Sequence, residues 1–90
     1  MITYKLHIYG KVQGVWYRKW FHDEAMRLNI HGYVKNSKNY NKVEAVIQGE
    51  IESINKIIKL STIGPPNSSV IKITKILIND NIIYNDFEII

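Results

Sequence analysis

The sequence predicts an α+β sandwich in which one antiparallel sheet carries two helices on a single face. Segments with period-two alternation and segments with helical spacing follow in the order β-α-β-β-α-β, with a short further strand at the end. Glycine, proline and asparagine clusters separate these segments. A chain of 90 residues suffices for one domain, so we assign residues 1–90 to a single domain. This order is typical of the ferredoxin-like, split-βαβ sandwich.

The recurrence of apolar residues locates the individual elements. Alternation puts Tyr4, Leu6 and Ile8 on one face of a first strand. Apolar residues at helical spacing predict one helix from about Trp16 and a second helix over residues 50–60. Four further strands are expected at residues 33–36, 42–48, 70–78 and 87–90.

The first helix raises three local expectations. On its polar side, Asp23 and Arg27 have the spacing of an i,i+4 ion pair. After the helix, Asn29 or Gly32 is expected to supply the positive φ that turns the chain. At its start, Trp16 has two equally weighted interpretations, because it can line a substrate pocket or pack into the core.

The composition excludes several function classes. The absence of cysteine excludes disulfides and thiolate chemistry. No segment is long and apolar enough to span a membrane, and the sequence enters a strand pattern without a signal peptide, so we expect a cytoplasmic protein. The net charge of +4 suits an anionic ligand. The lysines are spread along the chain, which favours a solvated basic surface over a nucleic-acid footprint.

A glycine-bounded turn, Gly10 to Arg18, joins the first strand to the first helix. Glycine permits positive φ, and a helix N-terminus adds unpaired N–H groups and a partial positive charge. Together these features can form an anion site. The planar donor fork of Arg18 matches a phosphate or a carboxylate. On these features alone, an ordinary strand–helix connection with an exposed arginine is the better interpretation.

Two longer motifs shift the preference from an ordinary strand–helix connection to an anion site. The string Gly10-Lys11-Val12-Gln13-Gly14-Val15-Trp16-Tyr17-Arg18 resembles the phosphate-binding signature of the acylphosphatase family. Gly32-Tyr33-Val34-Lys35-Asn36, followed by Val43 and Gly49, resembles the second signature of that family. The resemblance covers essentially the whole chain. One departure is the hairpin tip, where Asn39-Tyr40-Asn41 replaces the usual Asp-Gly turn. Asn39 or Asn41 is expected to supply the positive φ there.

The resemblance implies hydrolysis of a carboxyl–phosphate mixed anhydride to carboxylate and phosphate, without metal or cofactor. It implies that Arg18 clamps the phosphate and that Asn36 orients the attacking water. It also implies a cradle of backbone N–H groups from Gln13, Gly14, Val15, Trp16, Tyr17 and Arg18. No residue is an evident general base. We therefore hypothesise that the substrate phosphate takes the proton, which a pH–rate profile showing a titrating enzyme base would contradict.

The expected ligands are a small acyl phosphate and phosphate- or sulfate-like anions at the loop. We expect a monomer with no membrane or nucleic-acid partner. An RNA-recognition domain shares the element order and stacks bases on its open sheet face. The Lys/Arg-Gly-Phe start of its signature is missing here, and it does not need a glycine loop with Arg18. A further alternative is a regulatory module from a larger carbamoyl-transfer protein. The 90-residue span, with no zinc-finger cysteines following, favours a free-standing enzyme.

Overall fold

The chain forms seven helices and strands, each within a segment whose apolar residues recur with helix or strand periodicity. A computed structural model describes residues 1–90. The elements are β1 (Ile2–Lys11), α1 (Tyr17–Arg27), β2 (His31–Asn36), β3 (Lys42–Gly49), α2 (Ile51–Ser61), β4 (Ser69–Leu77) and β5 (Phe87–Ile89). The predicted β-α-β-β-α-β order with a short last strand is confirmed. Neither helix is long and apolar enough to cross a membrane.

The five strands form one sheet in the order β4-β1-β3-β2-β5. The pairs β1–β3, β1–β4 and β2–β3 are antiparallel, as predicted, whereas β5 runs parallel to β2. The prediction of a wholly antiparallel sheet is therefore wrong for the last strand. Residues 78–86 cross from the end of β4 to the far edge of the sheet. Because they arrive where β2 begins, β5 runs in the same direction as β2.

Both helices pack on one face of the sheet and enclose the core. The buried side chains of the sheet include Leu6, Ile8, Val34, Val43, Ala45 and Ile47. Phe21 of α1 lies against Phe87 of β5, with ring centroids 5.7 Å apart. Full burial of a side chain of this size contributes about 2 kcal/mol. This packing fixes α1 over β2 and β5, so the N-terminus of α1 lies near the end of β2.

The ion pairs of α1 differ from the predicted ones. Asp23 accepts from Lys19 at 2.8 Å, and Arg27 Nε donates to Glu24 at 3.1 Å. The predicted Asp23–Arg27 pair is therefore wrong, because each partner has another opposite charge within one turn. The turn after α1 uses Asn29, at φ 57°, as one of the two predicted alternatives.

Gly32, the other alternative, also has positive φ but lies inside β2. A Cβ there would fall 1.9 Å from the carbonyl oxygen of Val46. The residue therefore has to be glycine because two strand backbones approach closely at this point.

The hairpin between β2 and β3 closes without any left-handed residue. Outside glycine, positive φ occurs only at Trp16 and Asn29, so the predictions for Asn39 and Asn41 are wrong. The tip is held by hydrogen bonds instead. The N–H of Ser37 donates to the carbonyl of Lys42 at 3.1 Å, and the N–H of Lys42 donates to the carbonyl of Asn39 at 3.2 Å.

Candidate active site

A cleft of about 540 Å³ opens between the β1–α1 loop, the end of β2 and the end of β5. Its lining residues are Val12, Gly14, Trp16, Tyr17, Arg18, Lys19, Asn36 and Ile89. The cleft thus brings Arg18 and Asn36 together, although they lie on different elements. Their convergence follows from the packing of α1 on β2, which sets the first turn of the helix beside the last residue of the strand.

The backbone of the β1–α1 loop presents a run of unpaired donors. None of the N–H groups from Val12 to Lys19 donates to a protein acceptor. Gly14 and Trp16 adopt left-handed conformations, at φ 73° and 64°, on either side of Val15. Alternation of handedness along a short segment turns successive N–H groups toward one side, where they form a concavity suited to an anion. The helix N-terminus adds its partial positive charge.

Burial of two valine side chains anchors this loop. Val12 is 1% exposed and Val15 is 8% exposed, so both are fixed in the core. Gly14 projects outward, and a Cβ at this position would meet no atom within 4 Å. Glycine is thus required at this position for its φ and not for space. The two anchored valines hold the intervening N–H groups in place without any hydrogen bond from the loop backbone.

Trp16 lies in the open part of the cleft and is 81% exposed. Of the two interpretations of this residue, core packing is therefore wrong, and the side chain lines the pocket. Left-handed φ costs a non-glycine residue about 1–2 kcal/mol. Such strained residues cluster at functional sites, where the surrounding structure holds them in place. A strained and exposed tryptophan is consistent with a role in ligand contact.

Arg18 and Asn36 both carry side chains that are free of protein partners. Arg18 is half-buried in the first turn of α1 and makes no ion pair or hydrogen bond through its guanidinium. Asn36 is exposed at the end of β2, and its amide is likewise unpaired. Lys35 belongs to the opposite face of the sheet, in register with Glu44, as strand alternation predicts. The cleft therefore contains one free cation and one free amide.

The hydroxyl of Tyr17 points away from the cleft. It donates to the carbonyl of Ser61 at 2.7 Å, and burial raises the pKa of this phenol far above its usual value. Behind the ring lies Gly64, at φ 70°, where a Cβ would fall 2.9 Å from Tyr17 Cε2. Tyr17 therefore serves as a core anchor for the start of α1, and its phenol has no access to a ligand in the cleft.

The side chain of Gln13 has a role that the sequence does not reveal. Its Nε2 lies 3.0 Å from the carbonyl oxygen of Ser37 and 2.8 Å from those of Asn39 and Lys42. The amide thus joins the β1–α1 loop to the tip of the β2–β3 hairpin. The motif placed Gln13 in the loop, but no local pattern connects it to residues 37–42.

The charges around the cleft restrict the chemistry that its residues can perform. No aspartate, glutamate or histidine lines it, and Lys19 is engaged by Asp23. No group of three or more His, Cys, Asp or Glu side chains in the structure has the arrangement of a metal site. The lining residues can bind an anion, hold a polar ligand by the Asn36 amide and contact an apolar group. They offer no nucleophile and no carboxylate base.

The fold and this cleft define a split-βαβ sandwich whose strand–loop–helix turn presents unpaired backbone N–H groups to the cleft. The sequence profile of the acylphosphatase family matches residues 4–89. The acylphosphatase of Dehalococcoides mccartyi is 33% identical over 85 residues, which cover 94% of this chain and 93% of that protein. This chain belongs to the acylphosphatase family.

Solved structures show the same architecture. The crystal structure of acylphosphatase from Bacillus subtilis matches with a TM-score of 0.94 at 27% identity, covering 100% of this chain and 99% of that one. Full-length HypF, in its phosphate- and nucleotide-bound form, matches at a TM-score of 0.83 and 28% identity. The match covers 99% of this chain but 12% of HypF, so the same fold also occurs within a much larger protein.

Proposed function

We propose that this protein hydrolyses the carboxyl–phosphate bond of small acyl phosphates through Arg18, Asn36 and the backbone of the β1–α1 loop. One observation carries the proposal, namely the convergence of three kinds of unpaired group on one cleft. These are the N–H groups of Gln13, Gly14, Val15, Trp16, Tyr17 and Arg18, the guanidinium of Arg18 and the amide of Asn36. Polar groups left without protein partners in this way are available to a ligand.

The loop and Arg18 bind the phosphoryl group. Its peripheral oxygens accept hydrogen bonds from the loop N–H groups, and the Arg18 fork supplies two charge-assisted donors. Charge on these oxygens redistributes in the transition state, where preorganised donors stabilise it most. Because the donors are fixed by the buried Val12 and Val15, they need little reorganisation when the substrate binds.

Asn36 holds the attacking water on the side of phosphorus opposite the leaving carboxylate. The water oxygen forms the new P–O bond as the bond between phosphorus and the acyl oxygen breaks, and the carboxylate leaves with that electron pair. The carboxylate is a stable leaving group and needs no acid. No base lines the cleft, so the proton of the water passes to a phosphoryl oxygen of the substrate.

This route makes metal unnecessary, since Arg18 and the loop supply the positive charge that a metal ion would otherwise provide. The acyl group lies on the apolar side of the cleft, against the exposed indole of Trp16 and the half-exposed Ile89. The substrate is therefore a small acyl phosphate whose anionic end enters the loop and whose carbon end contacts these two side chains.

Hydrolysis of benzoyl phosphate and acetyl phosphate, measured with a chelator present, tests the proposal. Arg18→Ala should lose binding and turnover together, while Asn36→Ala should lose turnover with phosphate affinity retained. Matched controls are Arg27→Ala on the same helix and Asn55→Ala on the surface of α2, both expected to be fully active. A folded wild type without activity on either compound would contradict the proposal.

A further inference from the structure

We infer that Gln13 is a positioning residue whose side chain fixes the position of Asn36 relative to the β1–α1 loop. The inference rests on the proposed function, because it concerns the distance between the group that holds water and the groups that hold phosphate. Gln13 already belongs to the loop through its backbone. Its side chain adds a separate connection to the other half of the cleft.

The amide of Gln13 lies inside the hairpin tip. Its two N–H hydrogens are shared among three carbonyl oxygens, those of Ser37, Asn39 and Lys42. The carbonyl of Ser37 has no other protein donor, whereas those of Asn39 and Lys42 also accept from the tip backbone. The position of Ser37 therefore depends most strongly on Gln13. Ser37 directly follows Asn36, whose amide is proposed to hold the water.

The tip closes its own turn over residues 39–42 by the bond from the Lys42 N–H to the Asn39 carbonyl, but the carbonyl of Ser37, between that turn and Asn36, is held by Gln13 alone. None of its residues takes positive φ, which agrees with a five-residue loop built around a type I turn. A second connection runs from the N–H of Gly10 to the carbonyl of Asn41 at 2.9 Å. The conformation of the tip is therefore influenced by Gly10 of β1 and by Gln13 of the β1–α1 loop as well as by the strands that it joins.

Loss of the Gln13 donors should act on the two halves of the cleft unequally. The phosphate-binding N–H groups are held by the burial of Val12 and Val15, which the side chain of Gln13 does not contact through hydrogen bonds. Asn36 is the last residue of β2 and borders the released tip. A displacement of 1 Å in a positioned catalytic group can cost about 10²-fold in rate. Turnover should therefore fall while phosphate affinity changes little.

The test compares Gln13→Met, which keeps the length and removes the donors, with Gln13→Lys, which keeps donors at the same position. With benzoyl phosphate, Gln13→Met should lower kcat by about 10-fold, and the inhibition constant of inorganic phosphate should change by less than about 3-fold. Gln13→Lys should recover most of the lost kcat. Urea unfolding of each variant establishes that it is folded.

A double-mutant cycle separates positioning from a general loss of stability. If Gln13 acts through Asn36, then Gln13→Met should change kcat by less than about 2-fold when Asn36 is already alanine. If Gln13→Met lowers kcat by the same factor with and without Asn36→Ala, or if Gln13→Met alone has a normal kcat, the inference is overturned while the proposed function stands. An inactive wild type would overturn both, so the two failures are distinguishable.

Discussion

Replacement of Arg18 by alanine is expected to lower activity by about 10²-fold without destabilising the free protein. Arg18 lies in the first turn of α1, where no acidic residue balances it, and its guanidinium has no protein partner. A cation at the positive end of a helix dipole costs about 0.3–1 kcal/mol. The substitution removes that cost and lowers the formal net charge by one from +4. The half-buried stem of the arginine loses some packing, which offsets part of the gain.

The net expectation is a free energy of unfolding that is unchanged or raised by up to about 0.5 kcal/mol. For a domain of this size, such a gain raises Tm by about 2–4 °C. The activity of Arg18→Ala, by contrast, should decrease. Loss of one preorganised charged donor costs about 3 kcal/mol of transition-state stabilisation, or about 10²-fold in kcat/KM.

Urea unfolding at low salt and acyl phosphate hydrolysis measure the two effects on the same samples. Inorganic phosphate supplies a third readout, because at 100 times its Kd a ligand adds about 2.7 kcal/mol to the stability of the wild type. Arg18→Ala should lose most of this increment. Arg27→Ala is the matched control, since it removes an exposed arginine that pairs with Glu24 on the same helix. It should keep full activity. Destabilisation of Arg18→Ala by more than about 1 kcal/mol, or near-normal turnover, would contradict the role assigned to Arg18.

Three further substitutions test separate features. Gly14→Ala should fold and lose only about 1 kcal/mol in urea unfolding, because its Cβ meets nothing and only the φ of 73° is unfavourable; a loss above about 3 kcal/mol would contradict this. Trp16→Ala should lower the ratio of kcat/KM for benzoyl phosphate to that for acetyl phosphate by several-fold, and an unchanged ratio would remove Trp16 from acyl contact. Burial, together with the nearby positive charge of Lys42, lowers the pKa of His7 below 6.5. Near and below pH 6.5 the folded state therefore binds fewer protons than the unfolded state. The free energy of unfolding should therefore decrease as pH falls below 6.5, and His7→Gln should flatten this dependence in urea titrations.

The order of elements could be predicted because it depends on local periodicity. Alternation in β1 and helical spacing in α1 and α2 are properties of short segments, and the observed sheet face carries the predicted Leu6 and Ile8. The direction of β5 could not be predicted in this way. It has three residues, and its direction depends on where residues 78–86 cross the end of the sheet.

The errors in the site region have a common physical origin. Asparagine tolerates positive φ but does not require it, and the hairpin tip is instead held by its own backbone hydrogen bonds and by an amide donor from Gln13, distant in sequence. Correct i,i+4 spacing did not pair Asp23 with Arg27, because Lys19 and Glu24 competed for the two charges. Such competition between partners is decided by three-dimensional placement.

Trp16 shows the limit of pattern reasoning most clearly. Its position at the start of an apolar helix stripe suited either the core or the pocket, and the structure shows a left-handed backbone with the side chain exposed. The likeness to a known loop, and not periodicity, singled out Arg18 and Asn36. Their placement on one cleft is a property of the helix packing on β2 and β5.

The most direct measurement is the hydrolysis of benzoyl phosphate by the wild type and by Asn36→Ala, with and without chelator. We expect wild-type turnover that is insensitive to the chelator. In Asn36→Ala, kcat should fall by about 10²-fold or more while the inhibition constant of phosphate stays within about 2-fold. Normal turnover by Asn36→Ala would contradict the assignment of the water-holding role, and a chelator-sensitive wild type would contradict a reaction driven by Arg18 and the loop alone.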